Sequence, residues 1–248
     1  MQDSVKINVT SDVDIFAIKL LNLYSAVLSF MTGTLVRREL PIFGAPFEHG
    51  IFMIGLIDEI RVDPETFDWE ILELKTRRLN SVPSQAQKNT HKIQIMLYKT
   101  LFDDLISGKT NKELLVKHLG LDFEASFGKD VLKHLKEEKL LDCTDLNGLW
   151  NKLLDTMKVV PKISQLFVEY CWQEDRSTIA LEECQYSETW LRAEYSRCVE
   201  YWTGAREVCG VEIEDAWKCR NCDFAEVCEW REKKAEEHRR KNVVNNAK

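Results

Sequence analysis

Two acidic residues and a lysine, Asp58, Glu73 and Lys75, have the types and order needed for metal-dependent phosphodiester hydrolysis. This reaction needs a divalent cation that polarises the phosphate and lowers the pKa of the attacking water, and hard cations such as Mg²⁺ prefer oxygen ligands. Asp58 and Glu73 can supply those oxygens. The Lys75 ammonium can position the water and stabilise charge that develops on the phosphoryl oxygens. The three residues therefore predict a Mg²⁺ site.

These residues lie on two predicted strands that follow one another in the chain. Residues 51–62, IFMIGLIDEIRV, are apolar and β-branched with Asp58 near the end, and residues 67–76, FDWEILELKT, alternate toward Glu73 and Lys75. Alternation places Glu73 and Lys75 on one face of their strand. Two carboxylates and an ammonium are costly inside a core unless a cation or a substrate uses them.

A predicted helix over residues 83–107 follows the charged strands directly. Gln94 and Tyr98 are four residues apart on it, so they share a face and can jointly orient the site or touch a nucleic-acid backbone. His91 is the histidine of this helix, and we expect a surface role for it rather than metal binding.

Composition gives little indication of a nucleic-acid binder, because the formal net charge is −7 and the pI is near 5.4. Any surface that contacts DNA must therefore be local, and we assign it to the basic residues Lys75, Arg77 and Arg78. The 44% hydrophobic content of the 248 residues predicts a packed core. No run of about 18 apolar residues and no signal peptide is present, so we expect an intracellular protein that does not span a membrane.

The remaining pattern predicts an α/β fold with a central mixed β-sheet flanked by helices. Predicted strands cover residues 34–43, 51–62, 67–76, 165–173 and 178–184, and predicted helices cover 12–31, 83–107, parts of 110–160 and 187–205. Short connections predict an antiparallel meander for the first three strands. We divide the chain into a core at 1–205 with a helical insertion at about 108–162, a cysteine-rich segment at 206–231 and a charged tail, in part a frayed helix, at 232–248.

The cysteine-rich segment contains Cys219-x2-Cys222-x5-Cys228. In an intracellular chain such thiols are more naturally free thiols or metal ligands than disulfides, and the two-residue gap lets two thiolates turn onto one metal. Three ligands do not close a tetrahedral zinc site or an Fe–S cluster, so a fourth must come from elsewhere, and Cys209 is one candidate. Four other cysteines lie among apolar residues and are expected in the core: Cys143, Cys171, Cys184 and Cys198.

The ordered motifs G-L-I-D-E-I, E-L-K-T-R-R and Q-I-M-L-Y resemble the D, ExK and QxxxY motifs of the RecB-like branch of the PD-(D/E)xK nuclease superfamily. With A-W-K-C-R-N-C and C-E-W-R near the far end, and with the flanks 37–44 and 201–219, the sequence resembles the exonuclease V family over most of its length. The fold implied is a PD-(D/E)xK nuclease-like core with a C-terminal cysteine-rich segment.

This resemblance implies a Mg²⁺-dependent exonuclease specific for single-stranded DNA, which acts in DNA repair and releases short oligonucleotides. It also implies a 4Fe–4S cluster on Cys219, Cys222 and Cys228, a monomer, and a single-strand DNA-binding protein as a partner. The expected compartment is the nucleus, with mitochondrion and cytoplasm as alternatives. The polarity of digestion does not follow from the residues.

The sequence departs from the family pattern before its first predicted helix. The family's fourth cluster cysteine and a histidine-bearing helix lie upstream of the nuclease strands, whereas here the earliest cysteine is Cys143. We therefore expect a truncated isoform, an incomplete gene model or a fragment. Two alternatives follow: a catalytically weak DNA-binding or interaction protein that retains the fold, and zinc in place of the Fe–S cluster.

Overall fold

A single mixed sheet organises the chain. The computed structural model describes residues 8–48, 50–207, 209–211 and 213–246. Its strands are β1 (Val36–Gly44), β2 (Met53–Val62), β3 (Trp69–Arg77), β4 (Gln165–Trp172) and β5 (Thr178–Glu183), in the order β1-β2-β3-β4-β5. The first three form the predicted antiparallel meander, β4 is parallel to β3, and β5 is antiparallel to β4. The predicted α/β class with a mixed central sheet is confirmed.

Helices provide the connection that the parallel pair β3 and β4 requires. The described helices are α1 (Asp12–Met31), α2 (Gln85–Ile106), α3 (Lys112–Leu119), α4 (Lys129–Glu137), α5 (Leu146–Met157), α6 (Glu188–Trp202) and α7 (Glu229–Asn246), with 3₁₀ turns at Pro46–Glu48 and Ile213–Asn221. Helices α2 to α5 form the crossover, and the predicted insertion at about 108–162 holds α3 to α5. The predicted tail is helical as far as Asn246, and residues 247–248 lie outside the described residues.

The core lies between the sheet and the helices α1 and α2. Trp69 of β3 connects them, because its ring lies 4.6 Å from that of Phe30 on α1 and 6.2 Å from that of Phe102 on α2. The apolar spacing of helix α2 predicts one buried face with Ile93, Met96, Leu97, Leu101 and Leu105. The structure also buries Ile95 and Phe102 fully, while Ile93 is only partly buried. Contacts with α5, α6 and the sheet explain this wider burial.

Helix α1 is apolar around much of its circumference. Among the described helices it alone has the length and composition of a membrane-spanning segment, although polar residues such as Lys19 and Asn22 interrupt its apolar run. Half of its most apolar window is buried, and the helix packs on β1 and α5. An apolar helix buried in this way is a core helix.

The prediction that four cysteines lie in the core is wrong for Cys198. Cys143 and Cys171 are buried and Cys184 is half-buried, but Cys198 is exposed. Helix α6 buries Leu191 and Tyr195 and half-buries Val199, but Cys198 and the last residues of the helix, Tyr201 and Trp202, are exposed. Apolar neighbours in the sequence therefore did not imply a buried position here.

The start of α1 is fixed by the buried carboxylate of Asp14, which is 1% exposed. It accepts hydrogen bonds from Gly128 N at 2.9 Å, Thr10 Oγ1 at 2.8 Å and Thr10 N at 3.2 Å. Burial alone would raise the pKa of this carboxyl, but the hydrogen bonds from Gly128 and Thr10 outweigh burial and lower the pKa. The charged form of Asp14 thus joins α1 to the start of α4.

We expect Asp14→Asn to lower the free energy of unfolding at pH 7 by about 1–3 kcal/mol, because the hydrogen bonds lose their charged acceptor. Since the folded pKa lies below the unfolded pKa, the contribution is fully present above the ordinary aspartate value of about 4, declines below it and is lost as pH falls through the lower folded pKa. Denaturant unfolding at pH 7 and at a series of pH values below 4 measures both effects. Asp12→Asn, on an exposed residue of the same helix, is the matched control. Equal stability of Asp14→Asn and the parent at pH 7 would contradict the assignment.

Candidate active site

Asp58 lies where β2 and β3 separate. Backbone pairing between these strands runs from Val62 opposite Trp69 to Glu59 opposite Leu72. At the next position the Asp58 side chain replaces a backbone partner, because its Oδ2 accepts a hydrogen bond from Leu74 N at 2.8 Å. The half-buried carboxylate is thereby held beside the segment that carries Glu73 and Lys75.

Glu73 and Lys75 lie on the face of β3 that α2 covers. Glu73 is 2% exposed, and its Oε1 accepts hydrogen bonds from Lys75 Nζ at 2.6 Å and Gln94 Nε2 at 2.8 Å. Lys75 Nζ also donates to Gln94 Oε1 at 2.9 Å. A carboxylate, an ammonium and an amide thus form a closed triangle, so the predicted shared face of Glu73 and Lys75 is present in the structure.

Tyr98 completes the hydrogen bonding of Gln94. The second hydrogen of the Gln94 amide is donated to Tyr98 OH at 3.0 Å. Glu73 needs a donor and Lys75 needs an acceptor, so only one orientation of the amide satisfies both. The four-residue spacing on α2 therefore places both side chains on the shared face that the sequence predicts, where Gln94 contacts the Glu73 carboxylate and Tyr98 contacts Gln94.

The Glu73 carboxyl has features of a cation ligand. Burial raises its pKa, and the negative charge of Asp58 raises it further, although Lys75 and Gln94 act in the opposite direction. Its second oxygen, Oε2, is buried and has no hydrogen-bond partner among the described residues. A buried, unpartnered carboxylate oxygen beside a second carboxylate is a donor set that fits a hard divalent cation.

The protein ligands for such a cation are few. Within the described ranges no group of three or more His, Cys, Asp or Glu residues is arranged to hold a metal ion. Asp58 and Glu73 would therefore hold the cation as a pair. Mg²⁺ commonly binds in this way, because it retains several waters and uses one or two carboxylates together with substrate phosphates.

His91 is closer to the site than the sequence indicated. It is half-buried, its Nδ1 lies 3.1 Å from Tyr170 OH, and burial together with the positive charges of Lys75 and Arg77 lowers its pKa. Burial raises the pKa of Tyr170 to about 12, so both groups are neutral near pH 7. His91 is therefore only partly at the surface, and it contacts a buried tyrosine that the sequence did not indicate. Its position three residues before Gln94, about one helical turn, was the signal that could have revealed this contact.

Two further charged features flank the site. Arg77 is half-buried with its Nε 2.7 Å from Ser81 O, while Arg78 is exposed. The sequence reasoning did not identify Glu59, which is 5% exposed and accepts hydrogen bonds from Arg38 Nε at 2.7 Å and from Arg61 Nε. Arg38 lies opposite Glu59 on β1, a pairing that only the strand register reveals.

The cysteine-rich segment is separate from these carboxylates in the sequence. Cys219 and Cys228 are half-buried, and Cys222 and Cys209 are exposed. In the part of the chain that the structure describes these thiols do not form a metal-binding group.

A mixed sheet with two carboxylates and a lysine beside a Gln-x-x-x-Tyr helix has the arrangement of a metal-dependent nuclease core. The family model described as Exonuclease V, a 5′ deoxyribonuclease, matches residues 67–144 and 133–231. The chain belongs to the exonuclease V family. The matched residues include Glu73, Lys75, Gln94 and Tyr98 and the cysteine-rich segment, while Asp58 precedes them.

Individual relatives extend this comparison. Exonuclease V of Danio rerio is 37% identical over 233 residues, which are 93% of this chain and 58% of that protein. The chain thus spans little more than half the length of this curated relative. The solved structure of SSO0001 is 13% identical and covers 84% of this chain and 67% of that chain with a TM-score of 0.38, a likeness that carries no argument.

We expect the affinity of this site for a divalent cation, measured with Mn²⁺, to fall as pH is lowered. The reason is that protons compete with the cation for Glu73. Since the Glu73 pKa is raised, the loss should begin at a higher pH than for an ordinary glutamate and approach about tenfold per pH unit below the folded pKa. Calorimetric titration between pH 7.5 and 5 measures this dependence. Glu73→Gln should bind weakly, and Glu70→Gln, at a position of β3 paired with Arg61 rather than with the Asp58 region, should bind like the parent. An affinity that stays constant over this range would contradict the role of Glu73.

Proposed function

We propose that this chain is a divalent-cation-dependent deoxyribonuclease that acts on the 5′ ends of single-stranded DNA and serves in DNA repair. The observation that carries the proposal is the buried Glu73 carboxylate with one unpartnered oxygen beside Asp58. Membership of a family described as a 5′ deoxyribonuclease supports the polarity. The sequence resemblance supports single-strand specificity, the release of short oligonucleotides and a nuclear location.

The chemistry divides between the carboxylates and the lysine. When bound, the cation polarises the phosphate and lowers the pKa of a water molecule. Asp58 and Glu73 would hold it, and the burial of Glu73 would strengthen that electrostatic interaction by excluding water. Gln94 holds the carboxylate and the ammonium at a fixed separation, because it bonds to both.

Lys75 has one donor left for the substrate. An ammonium has three N–H groups, and two of them are used by Glu73 and Gln94. The third has no partner among the described residues and can donate to the attacking water or to a phosphoryl oxygen, where it stabilises the charge that develops. Arg77 ends β3 and the exposed Arg78 comes directly after it, and both provide contacts to neighbouring phosphates.

The central test is the digestion of end-labelled single-stranded DNA. We expect Lys75→Ala to reduce the rate by roughly 10²–10³-fold, since it removes a preorganised donor to the transition state. Asp58→Ala should reduce it at least as much, because the cation loses one of two carboxylates. Duplex DNA, 5′-blocked DNA and Mg²⁺-free buffer should each give slow digestion.

An exposed ion pair provides matched controls for these variants. Lys158 and Asp155 lie 2.7 Å apart and are 72% and 69% exposed, so Lys158→Ala and Asp155→Ala should digest DNA like the parent. Asp58→Ala and Lys75→Ala variants as active as the parent would exclude this site. Binding of single-stranded DNA without any Mg²⁺-dependent cleavage would instead favour a DNA-binding protein that retains the fold.

We further propose that Cys219, Cys222 and Cys228 hold a 4Fe–4S cluster, with a fourth ligand from elsewhere or from Cys209. The support is the compact spacing of the thiols within the residues that match the family model. After anaerobic purification we expect iron and a visible absorption band, and both should be lost on Cys219→Ser. Cys198→Ser, on an exposed cysteine of α6, should keep them. Stoichiometric zinc without iron would overturn this cofactor assignment.

A further inference from the structure

Gly55 lies on β2, three residues before Asp58, and directly against the ring of Tyr98. A Cβ atom at this position would lie 2.5 Å from Tyr98 Cε1, 3.2 Å from Cζ and 3.3 Å from the hydroxyl oxygen. The first distance is far shorter than carbon atoms tolerate in a packed structure. Any other residue at position 55 would therefore displace the tyrosine ring or the strand.

Residue 55 is a glycine because there is no space for a side chain, and not because the backbone has an unusual conformation. Gly55 is not among the described glycines with positive φ, so another residue could adopt its backbone conformation. A glycine inside a strand weakens the strand and often marks the close approach of another group. Here that group is the phenol ring of Tyr98.

Neither partner can move away easily. The β2 backbone at Gly55 is paired with Ile42 of β1, which is fully buried. Tyr98 is half-buried, packs against the hydrophobic core and lies on α2 directly after the buried Leu97. A displacement at Gly55 would therefore be transmitted to the hydroxyl of Tyr98.

That hydroxyl is the first link in a chain of contacts to the candidate catalytic groups. Tyr98 OH accepts a hydrogen bond from Gln94 Nε2 at 3.0 Å, and the same nitrogen donates to Glu73 Oε1 at 2.8 Å. The other end of the Gln94 amide accepts from Lys75 Nζ at 2.9 Å. The position of Tyr98 thus fixes the amide that joins the carboxylate to the ammonium.

We propose that Gly55 is a positioning residue of the active site: it seats Tyr98 and thereby holds Gln94 between Glu73 and Lys75. This inference rests on the proposed nuclease function, and it explains why the sequence has a glycine in G-L-I-D. Gly55 contacts neither substrate nor cation. Its effect on the reaction passes through Tyr98.

A double-mutant cycle with Gly55→Ala and Tyr98→Ala tests the proposal. Gly55→Ala should lower kcat on single-stranded DNA by roughly 10²-fold with little change in KM, because a displacement of about 1 Å at reacting groups has an effect of this size. In the Tyr98→Ala background, where a methyl group has room, the same substitution should lower kcat less than about threefold. Leu56→Ala, at the exposed neighbouring position, should leave kcat unchanged.

The thermal unfolding of all variants is measured together with their kinetics, so that a loss of folding is distinguished from a loss of activity. If Gly55→Ala does not fold while Gly55→Ala/Tyr98→Ala does, the contact is confirmed by stability, and Tyr98→Phe then tests its link to Gln94. Tyr98→Phe should fold like the parent and have a lower kcat.

The activity of the parent protein distinguishes a failure of this inference from a failure of the proposed nuclease function on which it rests. A parent protein that digests no DNA overturns both. A parent that digests DNA overturns this inference alone if Gly55→Ala is equally active, if Gly55→Ala reduces kcat by the same factor with and without Tyr98, or if Tyr98→Phe is fully active.

Discussion

Burial of the Glu73 carboxylate is the constraint on which the rest of the site depends. A charge removed from water is costly unless it is paired and hydrogen-bonded, and here one oxygen has both Lys75 and Gln94 as partners. The other oxygen has no partner among the described residues. A carboxylate buried in this incomplete way fits a ligand that brings a further positive charge, as the proposed divalent cation would.

The architecture brings three separate segments to this carboxylate. Strand β3 carries Glu73 and Lys75, and α2 begins soon after it and returns across the same face with Gln94 and Tyr98. Strand β2 remains paired with β1 while it separates from β3 at Asp58. This separation leaves an Asp58 side chain where a backbone hydrogen bond would otherwise close the sheet. The site therefore lies where the sheet opens.

Much of the fold was predictable because its signals are local. Alternation of apolar residues located the strands, and the short connections of β1, β2 and β3 predicted their meander. The burial of individual side chains was less predictable. Ile95 and Phe102 are buried because α2 packs on several elements. Cys198 is exposed because α6 buries few residues near its C-terminal end. Such burial depends on which elements meet, which periodicity within one segment does not encode.

The sequence by itself determined the residue types, their order and the family, because motif spacing within a strand or a helix fixes which side chains share a face. It therefore identified Glu73 with Lys75, and Gln94 with Tyr98. Only the tertiary structure decided how these pairs meet: the amide of Gln94 between carboxylate and ammonium, the Asp58 hydrogen bond to Leu74, the contact of His91 with Tyr170 and the ring of Tyr98 against Gly55. These contacts join segments that are distant in the chain, and their distances follow from packing and strand register, which no local pattern specifies.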